Sequence, residues 1–176
     1  MKTVSEKQAV LKLRNLKNDF RALIKKTFEH RAKDCGTCET KGACCLDAHF
    51  VNVHITRLEA VLIKEELQKL APEKQSEIYE RIAETVKKYN LNSEGDTFAK
   101  TFACPLFEKN FGCIIHSVKP IPCIAHACYE RKEDLPPDKL QTETEEKIER
   151  LNEQTYKKFP RWLPLPVWLQ SQHRKR

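Results

Sequence analysis

The chain has 176 residues, of which 32 are Lys or Arg and 25 are Asp or Glu, and its formal net charge is +7. With 40% hydrophobic and 32% charged residues, the composition predicts a folded, helix-rich chain rather than an intrinsically disordered one. No run of 18 apolar residues occurs and the first residues contain no apolar segment, so we expect no membrane span, no secretory signal and a cytoplasmic location.

Residues 3–32 predict one long helix. Apolar residues recur at alternating steps of three and four, which places them on one stripe: Leu13, Leu16, Phe20, Leu23, Ile24 and Phe28. Basic residues are expected to lie off this stripe: Lys12, Arg14, Lys17, Arg21 and Lys25. Core packing is the favoured role of the stripe.

The positive charge is concentrated at the two ends of the chain. Residues 1–33 contain ten Lys or Arg and three Asp or Glu, and residues 161–176 contain four basic residues and no acidic one. Such ends can attract nucleic acid, an acidic membrane surface or a protein partner. No nucleic-acid-binding motif is present, and a solvated helix face is the favoured interpretation.

The segment Phe50–Ile55 is short and rich in β-branched residues, which predicts a strand or an extended lead-in. Thr56 and Glu59 have the spacing of a capping box, so a helix is expected to begin there and to end near Leu70.

Pro72 suits the first turn of a further helix over about residues 73–90. Its apolar face is predicted to consist of Ile78, Ile82, Val86 and Tyr89. Residues 90–96 predict a loop, and the cysteine-containing segment 104–128 follows.

The sequence Leu135–Asp138 predicts a turn, and a polar helix should follow to about Phe159. Its sparse apolar face comprises Leu140, Ile148, Leu151 and Tyr156. The tail 159–169 contains three prolines and both tryptophans, so it cannot be a regular helix throughout. Packing of the tail on its own domain is favoured over anchoring a partner.

All eight cysteines fall into two blocks. The first block contains Cys35, Cys38, Cys44 and Cys45, and the second contains Cys104, Cys113, Cys123 and Cys128. In a reducing compartment, metal ligation is the leading explanation and disulfides are the second.

The two-residue gap between Cys35 and Cys38 lets one tight turn direct both thiolates at a single metal. Such turns need a positive φ, and three glycines lie beside or between cysteines: Gly36, Gly42 and Gly112.

The assignment of ligands to centres stays open. Neighbouring side chains in an extended segment point in opposite directions. Cys44 and Cys45 are therefore either ligands of two different metal centres, or one of them is a ligand and the other packs in the protein interior. Eight thiols can form two four-thiolate zinc sites, or one or two iron–sulfur clusters. His126 is an alternative ligand, whereas His116 is more typical of a supporting hydrogen bond. His49 and His54 lie near the first block and are weaker candidates for ligands. The nearby carboxylates of Glu39, Asp47 and Glu59 are interpreted as surface groups.

The two blocks resemble the YkgJ-type cysteine-cluster family, which is described as a zinc- or iron-chelating domain. The matching segments are Cys35-x-x-Cys38…Cys44-Cys45, Cys104-Pro105-Leu106-Phe107, Gly112-Cys113-Ile114-Ile115-His116 and Lys119-Pro120-Ile121-Pro122-Cys123. The resemblance covers about residues 35–128, and Cys128 lies beyond the last cysteine of the family pattern. It implies metal or iron–sulfur binding. A related cluster accompanies flagellin lysine methylases, which implies that some members take part in modification reactions.

These features predict a mainly α fold, with a small helical domain around an irregular cysteine-rich metal core and little or no β structure. Three segments are expected: a basic helix over 1–33, a cysteine-cluster domain over 34–130, and a C-terminal helix with its basic tail over 131–176. The expected function is binding of an iron–sulfur cluster by cysteine thiolates, in redox chemistry or in protein or RNA modification. A zinc-stabilised interaction module without catalytic activity is the alternative. No catalytic motif is recognisable, so enzymatic activity stays open.

Overall fold

The computed structural model describes residues 3–33, 42–46, 51–92, 95–157 and 162–173. The predicted ligands Cys35 and Cys38 lie outside this part of the chain, as do Gly36, Glu39, Asp47 and His49. The described residues form helices and only two small sheets, which confirms the prediction of a mainly α fold. None of the described helices is long and apolar enough to cross a membrane.

The helices are α1 (Glu6–Thr27), α2 (Arg57–Leu67), α3 (Pro72–Lys88), α4 (Ile121–Ala125), α5 (Asp138–Tyr156) and α6 (Leu165–His173). The strands are β1 (His54–Ile55), β2 (Phe107–Glu108), β3 (Gly112–Cys113) and β4 (Leu163–Pro164). Strand β1 pairs antiparallel with β4, and His54 lies opposite Pro164. Strand β2 pairs antiparallel with β3, and Phe107 lies opposite Cys113.

Two compact units divide the described residues. Unit 1 consists of the described parts of Met1–Lys41 and Val118–Pro160, and unit 2 consists of those of Gly42–Ser117 and Arg161–Arg176. Each unit is therefore built from two separate stretches of chain, whereas the sequence suggested three consecutive segments. Helix α5 belongs to unit 1, and β4 and α6 belong to unit 2.

In unit 1, helix α1 packs against α4 and α5. It begins after Ser5, whose side-chain oxygen accepts a hydrogen bond from the backbone N–H of Gln8. The buried apolar residues of these helices are Ala9, Val10, Leu13, Phe20, Ile24, Ile121, Ile124 and Ile148. A helix with partners on two sides buries a wider face than a single stripe supplies.

Two predictions about α1 are wrong for this reason. Leu23 was placed on the buried stripe, but it is 41% exposed. Lys17 was placed off the stripe, but it is only 1% exposed, and its Nζ donates a hydrogen bond to the carbonyl of Val118 at 3.2 Å. The long aliphatic stem of a lysine can occupy apolar surroundings while its ammonium group reaches a polar partner.

In unit 2, helix α6 packs against α2 and α3. The capping box at the start of α2 is confirmed: the Thr56 hydroxyl accepts from the N–H of Glu59, and the Glu59 carboxylate accepts from the N–H of Thr56 at 3.0 Å. Glu59 is 1% exposed, so its interpretation as a surface carboxylate is wrong. The predicted buried face of α3 is confirmed at Ile78, Ile82 and Val86.

The tail includes a helix despite its prolines. Pro164 lies in β4, and Pro166 lies in the first turn of α6, where a missing N–H costs no intrahelical hydrogen bond. The remainder of α6 is free of proline, so nine residues are helical. The Nζ of Lys64 in α2 donates a hydrogen bond to the carbonyl of Gln172 at 2.9 Å, and this contact holds α6 against the rest of unit 2.

A small apolar cluster lies beside the loops of unit 2. Its buried members are Val51, Val86, Leu91 and Phe102. The partly buried side chains of Cys104 and Val167 pack against it. One of the predicted metal ligands therefore lies at the edge of a hydrophobic core.

Candidate metal centre

Unit 2 brings four of the predicted cysteine ligands together. Cys44 and Cys45 lie in a single 3₁₀ turn, Ala43–Cys45. Cys104 precedes strand β2, and Cys113 ends strand β3. The backbone N–H of Cys104 donates to the carbonyl of Cys45 at 2.8 Å, which joins the two cysteine blocks directly. All four residues are partly buried, and they form what we call the four-thiol cluster.

The turn that carries Cys44 and Cys45 depends on Gly42. Its φ is +83°, a left-handed conformation that favours glycine, and its carbonyl accepts from the N–H of Cys45 at 2.8 Å. A Cβ atom at this position would overlap the ring of Phe107. Glycine is therefore required both by the backbone and by the close approach of an aromatic side chain.

The β2–β3 hairpin positions the other two thiols. Phe107 lies opposite Cys113, and the N–H of Ile114 donates to the carbonyl of Leu106 at 2.9 Å. Gly112 has a φ of +95°, which supports the expectation that glycines beside the cysteines form left-handed turns. Phe107 thus contacts the turn through its ring and pairs through its backbone with the strand that ends in Cys113.

The thiols of the cluster affect one another electrostatically. A hydrogen bond with the Cys44 side chain, burial and the proximity of Cys104 raise the pKa of Cys45 far above its ordinary value, and Cys113 adds to this effect. Burial raises the pKa of Cys104 to about 12, and Cys113 contributes in the same direction. A thiolate is therefore costly at both positions: the hydrogen bond with Cys44 is the main cause for Cys45 and burial is the main cause for Cys104, and repulsion from neighbouring sulfurs adds to both.

Several groups act in the opposite direction on Cys104. The backbone N–H groups of Leu106 and Phe107 lower its pKa, and the Phe107 N–H also donates to the Cys104 carbonyl at 3.2 Å. The positive charge of Arg81, from α3, also lowers it. Proline at position 105 has no N–H, so the two donors come from the next two residues of the Cys104-Pro105-Leu106-Phe107 segment.

The second-block cysteines Cys123 and Cys128 belong to unit 1. Cys123 lies in α4, and the carbonyl of Cys128 accepts a hydrogen bond from the N–H of Lys33 at 2.9 Å. An isolated bridge between Ala32 and Tyr129 continues this pairing. The chain that leads toward Cys35 and Cys38 therefore departs beside Cys128.

Of the histidines near the cysteines, the alternative ligand His126 and the supporting residue His116 lie at exposed positions. His116 begins a 3₁₀ turn and His126 follows α4, and both are exposed. His54 is buried instead: its Nε2 lies 2.9 Å from the Thr97 hydroxyl, and its ring stacks on Phe98 at 3.8 Å. Burial lowers the pKa of His54. The contacts of His54 with Thr97 and Phe98 are typical of a histidine packed in the interior of unit 2.

In the described part of the chain, no three His, Cys, Asp or Glu side chains are arranged so that they could hold a metal ion. The six described cysteines are also not joined in disulfides. The four thiols are thus close enough to perturb one another, but their sulfurs do not converge on one coordination point.

The sequence did not identify Arg81, Phe107 or Glu108 as parts of this site. Arg81 is an ordinary charged residue on a helix, and only the fold brings it to the hairpin, where it hydrogen-bonds to Phe107 and Glu108. Phe107 could have been singled out, because it belongs to the Cys104-Pro105-Leu106-Phe107 segment that resembles the family pattern.

Comparison with known proteins leaves the chain without an assigned relative. No protein-family model, no curated protein and no solved structure matches it. The resemblance to the YkgJ-type cysteine-cluster family stays a prediction that depends on cysteine spacing.

Proposed function

We propose that this chain is a metal-binding protein of the YkgJ type, whose cysteine thiolates hold an iron–sulfur cluster used in redox chemistry or in protein or RNA modification. The observation that supports the proposal is the four-thiol cluster of unit 2. Residues nearly 60 positions apart in the chain contribute thiols that interact with one another. Four thiolates are the usual ligand set of a [4Fe–4S] or [2Fe–2S] cluster.

The chemistry of the four residues fits such a group. Thiols that raise one another's pKa are ionised together only when a cation offsets their charge, and iron supplies that charge. Backbone N–H groups directed at the Cys104 sulfur stabilise a thiolate and tune the potential of a bound cluster. The four sulfurs do not converge in the described structure, so binding of a cluster would require the cysteine side chains to rotate between their staggered positions.

The protein residues would hold and shield the cluster. Cys44, Cys45, Cys104 and Cys113 would supply the thiolates, and the apolar cluster behind Cys104 would limit water on one side. When bound, an iron–sulfur cluster supplies one-electron transfer. The four remaining cysteines, Cys35, Cys38, Cys123 and Cys128, stay candidate ligands on the basis of their spacing.

Anaerobic purification followed by iron, sulfide and visible-absorption measurements tests the proposal. We expect a coloured protein, and we expect Cys104→Ser and Cys113→Ser each to remove the iron and sulfide equivalent to one cluster. Leu46→Ser is the matched control, because Leu46 adjoins Cys45, is 40% exposed and carries no thiol. It should retain the full iron content.

A folded protein that is colourless and free of iron would refute the iron–sulfur proposal. If that protein instead contains stoichiometric zinc and loses its fold when a chelator is added, the zinc-stabilised module is correct. A coloured protein whose iron content is unchanged in Cys104→Ser would place the cluster elsewhere in the chain.

A further inference from the structure

The outer side of helix α1 carries a set of lysines that we call the basic face. Its members are Lys7, Lys12, Lys25 and Lys26. All four are exposed, and none of them forms an ion pair within the part of the chain that the structure describes. At about 100° per residue they fall within an arc of about 140°, opposite to the buried residues of the helix. Their charges are therefore directed into solvent.

The other two long helices neutralise basic side chains on their own surfaces. In α3, the Nζ of Lys74 lies 2.9 Å from a carboxylate oxygen of Glu77. In α5, an Nη atom of Arg150 lies 3.1 Å from a carboxylate oxygen of Glu146. Such pairs between residues three or four positions apart stabilise an exposed helix.

Helix α1 lacks this compensation near its beginning. No Asp or Glu occurs three or four positions from Lys7 or Lys12. Glu6 instead accepts a hydrogen bond from the Tyr156 hydroxyl at 2.7 Å, and Asp19 is the other acidic residue of the helix. A cation in the first turn also opposes the helix dipole, so the charge of Lys7 does not stabilise α1. A polyanionic partner gives these charges a role that the helix itself does not.

The distribution of apolar residues disfavours a membrane as this partner. A helix that binds an anionic membrane places an apolar face among the acyl chains. The apolar face of α1 is buried in unit 1, where the helix packs against α4 and α5. Its exposed leucines, Leu11 and Leu23, lie about 120° apart around the helix, so they form no common apolar face.

Two further partners also fit the basic face poorly. Single-stranded nucleic acid stacks its bases on aromatic side chains, and the exposed residues of α1 include none. A second copy of the chain would offer the acidic residues of α5, but the exposed Glu143 and Glu146 already pair with Lys139 and Arg150. A duplex requires only cations that reach its phosphates.

We propose that the basic face of α1 binds the phosphate backbone of a nucleic-acid duplex. From Lys7 to Lys26 the helix rises by about 28 Å, which corresponds to about eight base pairs of B-form duplex. Contacts to phosphates carry no direct sequence information, so the binding should be insensitive to base sequence. The inference concerns unit 1 and is independent of the proposed iron–sulfur function.

The experiment compares two variants of the full chain that have the same formal net charge. The first replaces the four lysines of the basic face with glutamine. The control replaces four basic residues that form ion pairs elsewhere, and these are Lys69, Lys74, Lys139 and Arg150. Each variant loses four positive charges, so its formal net charge falls from +7 to +3. Glutamine and lysine have similar helix propensities, so α1 should stay folded, and circular dichroism checks this.

Fluorescence anisotropy measures binding to a DNA duplex and to an RNA duplex of about 20 base pairs, at salt concentrations from about 50 to 200 mM. For the wild type we expect log K to fall with log salt concentration at a slope of about −3.6 for four contacts with B-form DNA. The basic-face variant should bind at least about tenfold more weakly at the lowest salt concentration, with a slope near zero. The control variant should keep the wild-type slope.

The DNA and RNA arms identify the source of the phosphates. Equal affinity for both duplexes supports recognition of phosphates alone, and a preference for one supports that duplex as the ligand. Replacing the four lysines with arginine retains the charge and should retain binding. If the glutamine variant does not fold, Lys12→Gln alone should reduce the steepness of the slope by about 1.

Equal losses of affinity in the basic-face and control variants would overturn the inference, because the total charge rather than α1 would then explain the binding. Failure of the folded wild type to bind either duplex at about 50 mM salt would also overturn it. Binding to vesicles of anionic phospholipid without binding to either duplex would assign the basic face to a membrane surface instead.

Discussion

Replacing Gly42 with alanine tests the link between the cysteine turn and the hairpin. Two separate costs are expected. A left-handed φ of +83° costs an alanine about 1–2 kcal/mol, because Cβ approaches the backbone carbonyl. The new methyl group would also overlap the ring of Phe107, and displacing a packed ring costs about 1–3 kcal/mol. Gly42→Ala should therefore lower the free energy of unfolding by about 2–5 kcal/mol.

Gly112→Ala separates the two costs. Its φ of +95° carries a similar backbone penalty, but no atom lies within 4 Å of a Cβ built there. We therefore expect a loss of only about 1–2 kcal/mol. Urea unfolding followed by circular dichroism measures both variants, and the difference between them is the cost of the contact with Phe107.

A double-mutant cycle identifies the contact itself. Phe107→Ala removes the ring, so the methyl group added in Gly42→Ala should cost about 1–3 kcal/mol less in that background. Equal losses in Gly42→Ala and Gly112→Ala, together with additive effects in the cycle, would refute the reasoning. In that case the ring of Phe107 would not lie over the cysteine turn.

Two further predictions concern capping and pH. Thr56→Ala should lower the free energy of unfolding by about 1 kcal/mol, because the capping box of α2 is lost. Thr56→Ser keeps the hydroxyl group and should lower it by less. Equal losses in urea unfolding would contradict the capping role of Thr56. The Arg131 side chain donates a hydrogen bond to the Asp134 carboxylate and lowers the pKa of Asp134 below its ordinary value of 3.8. The contact therefore stabilises the folded protein at pH values above 3.8. This stabilisation is lost as the pH falls through the lowered pKa. Thermal unfolding between about pH 2 and 6 should show a wild-type advantage over Asp134→Asn that shrinks on acidification, and an advantage independent of pH would be evidence against it.

Local features of the chain were predictable because their causes are local. The apolar spacing at Ile78, Ile82 and Val86 identifies the buried face of α3, and Thr56 with Glu59 marks the start of α2. The expected positive φ angles at Gly42 and Gly112 follow from turns that few other residues can form. In each case the determining residues lie within a few positions of one another.

Features that depend on contacts between distant segments could not be predicted in this way. Lys17 is buried and Leu23 is exposed in α1, which packs against α4 and α5, and helical periodicity does not reveal which face such neighbours cover. Helix α6 packs against α2 and α3 in unit 2, whereas α5, the preceding helix in the chain, belongs to unit 1.

The candidate site shows the same division. The two cysteine blocks and their glycine turns are visible in the sequence, since both depend on the spacing of neighbouring residues. The proximity of Cys44 and Cys45 to Cys104 and Cys113, and that of Arg81 to Cys104, is visible only in the folded chain. A backbone hydrogen bond between Cys104 and Cys45 spans 59 positions of the chain, and closing so long a loop depends on the packing of the helices in between.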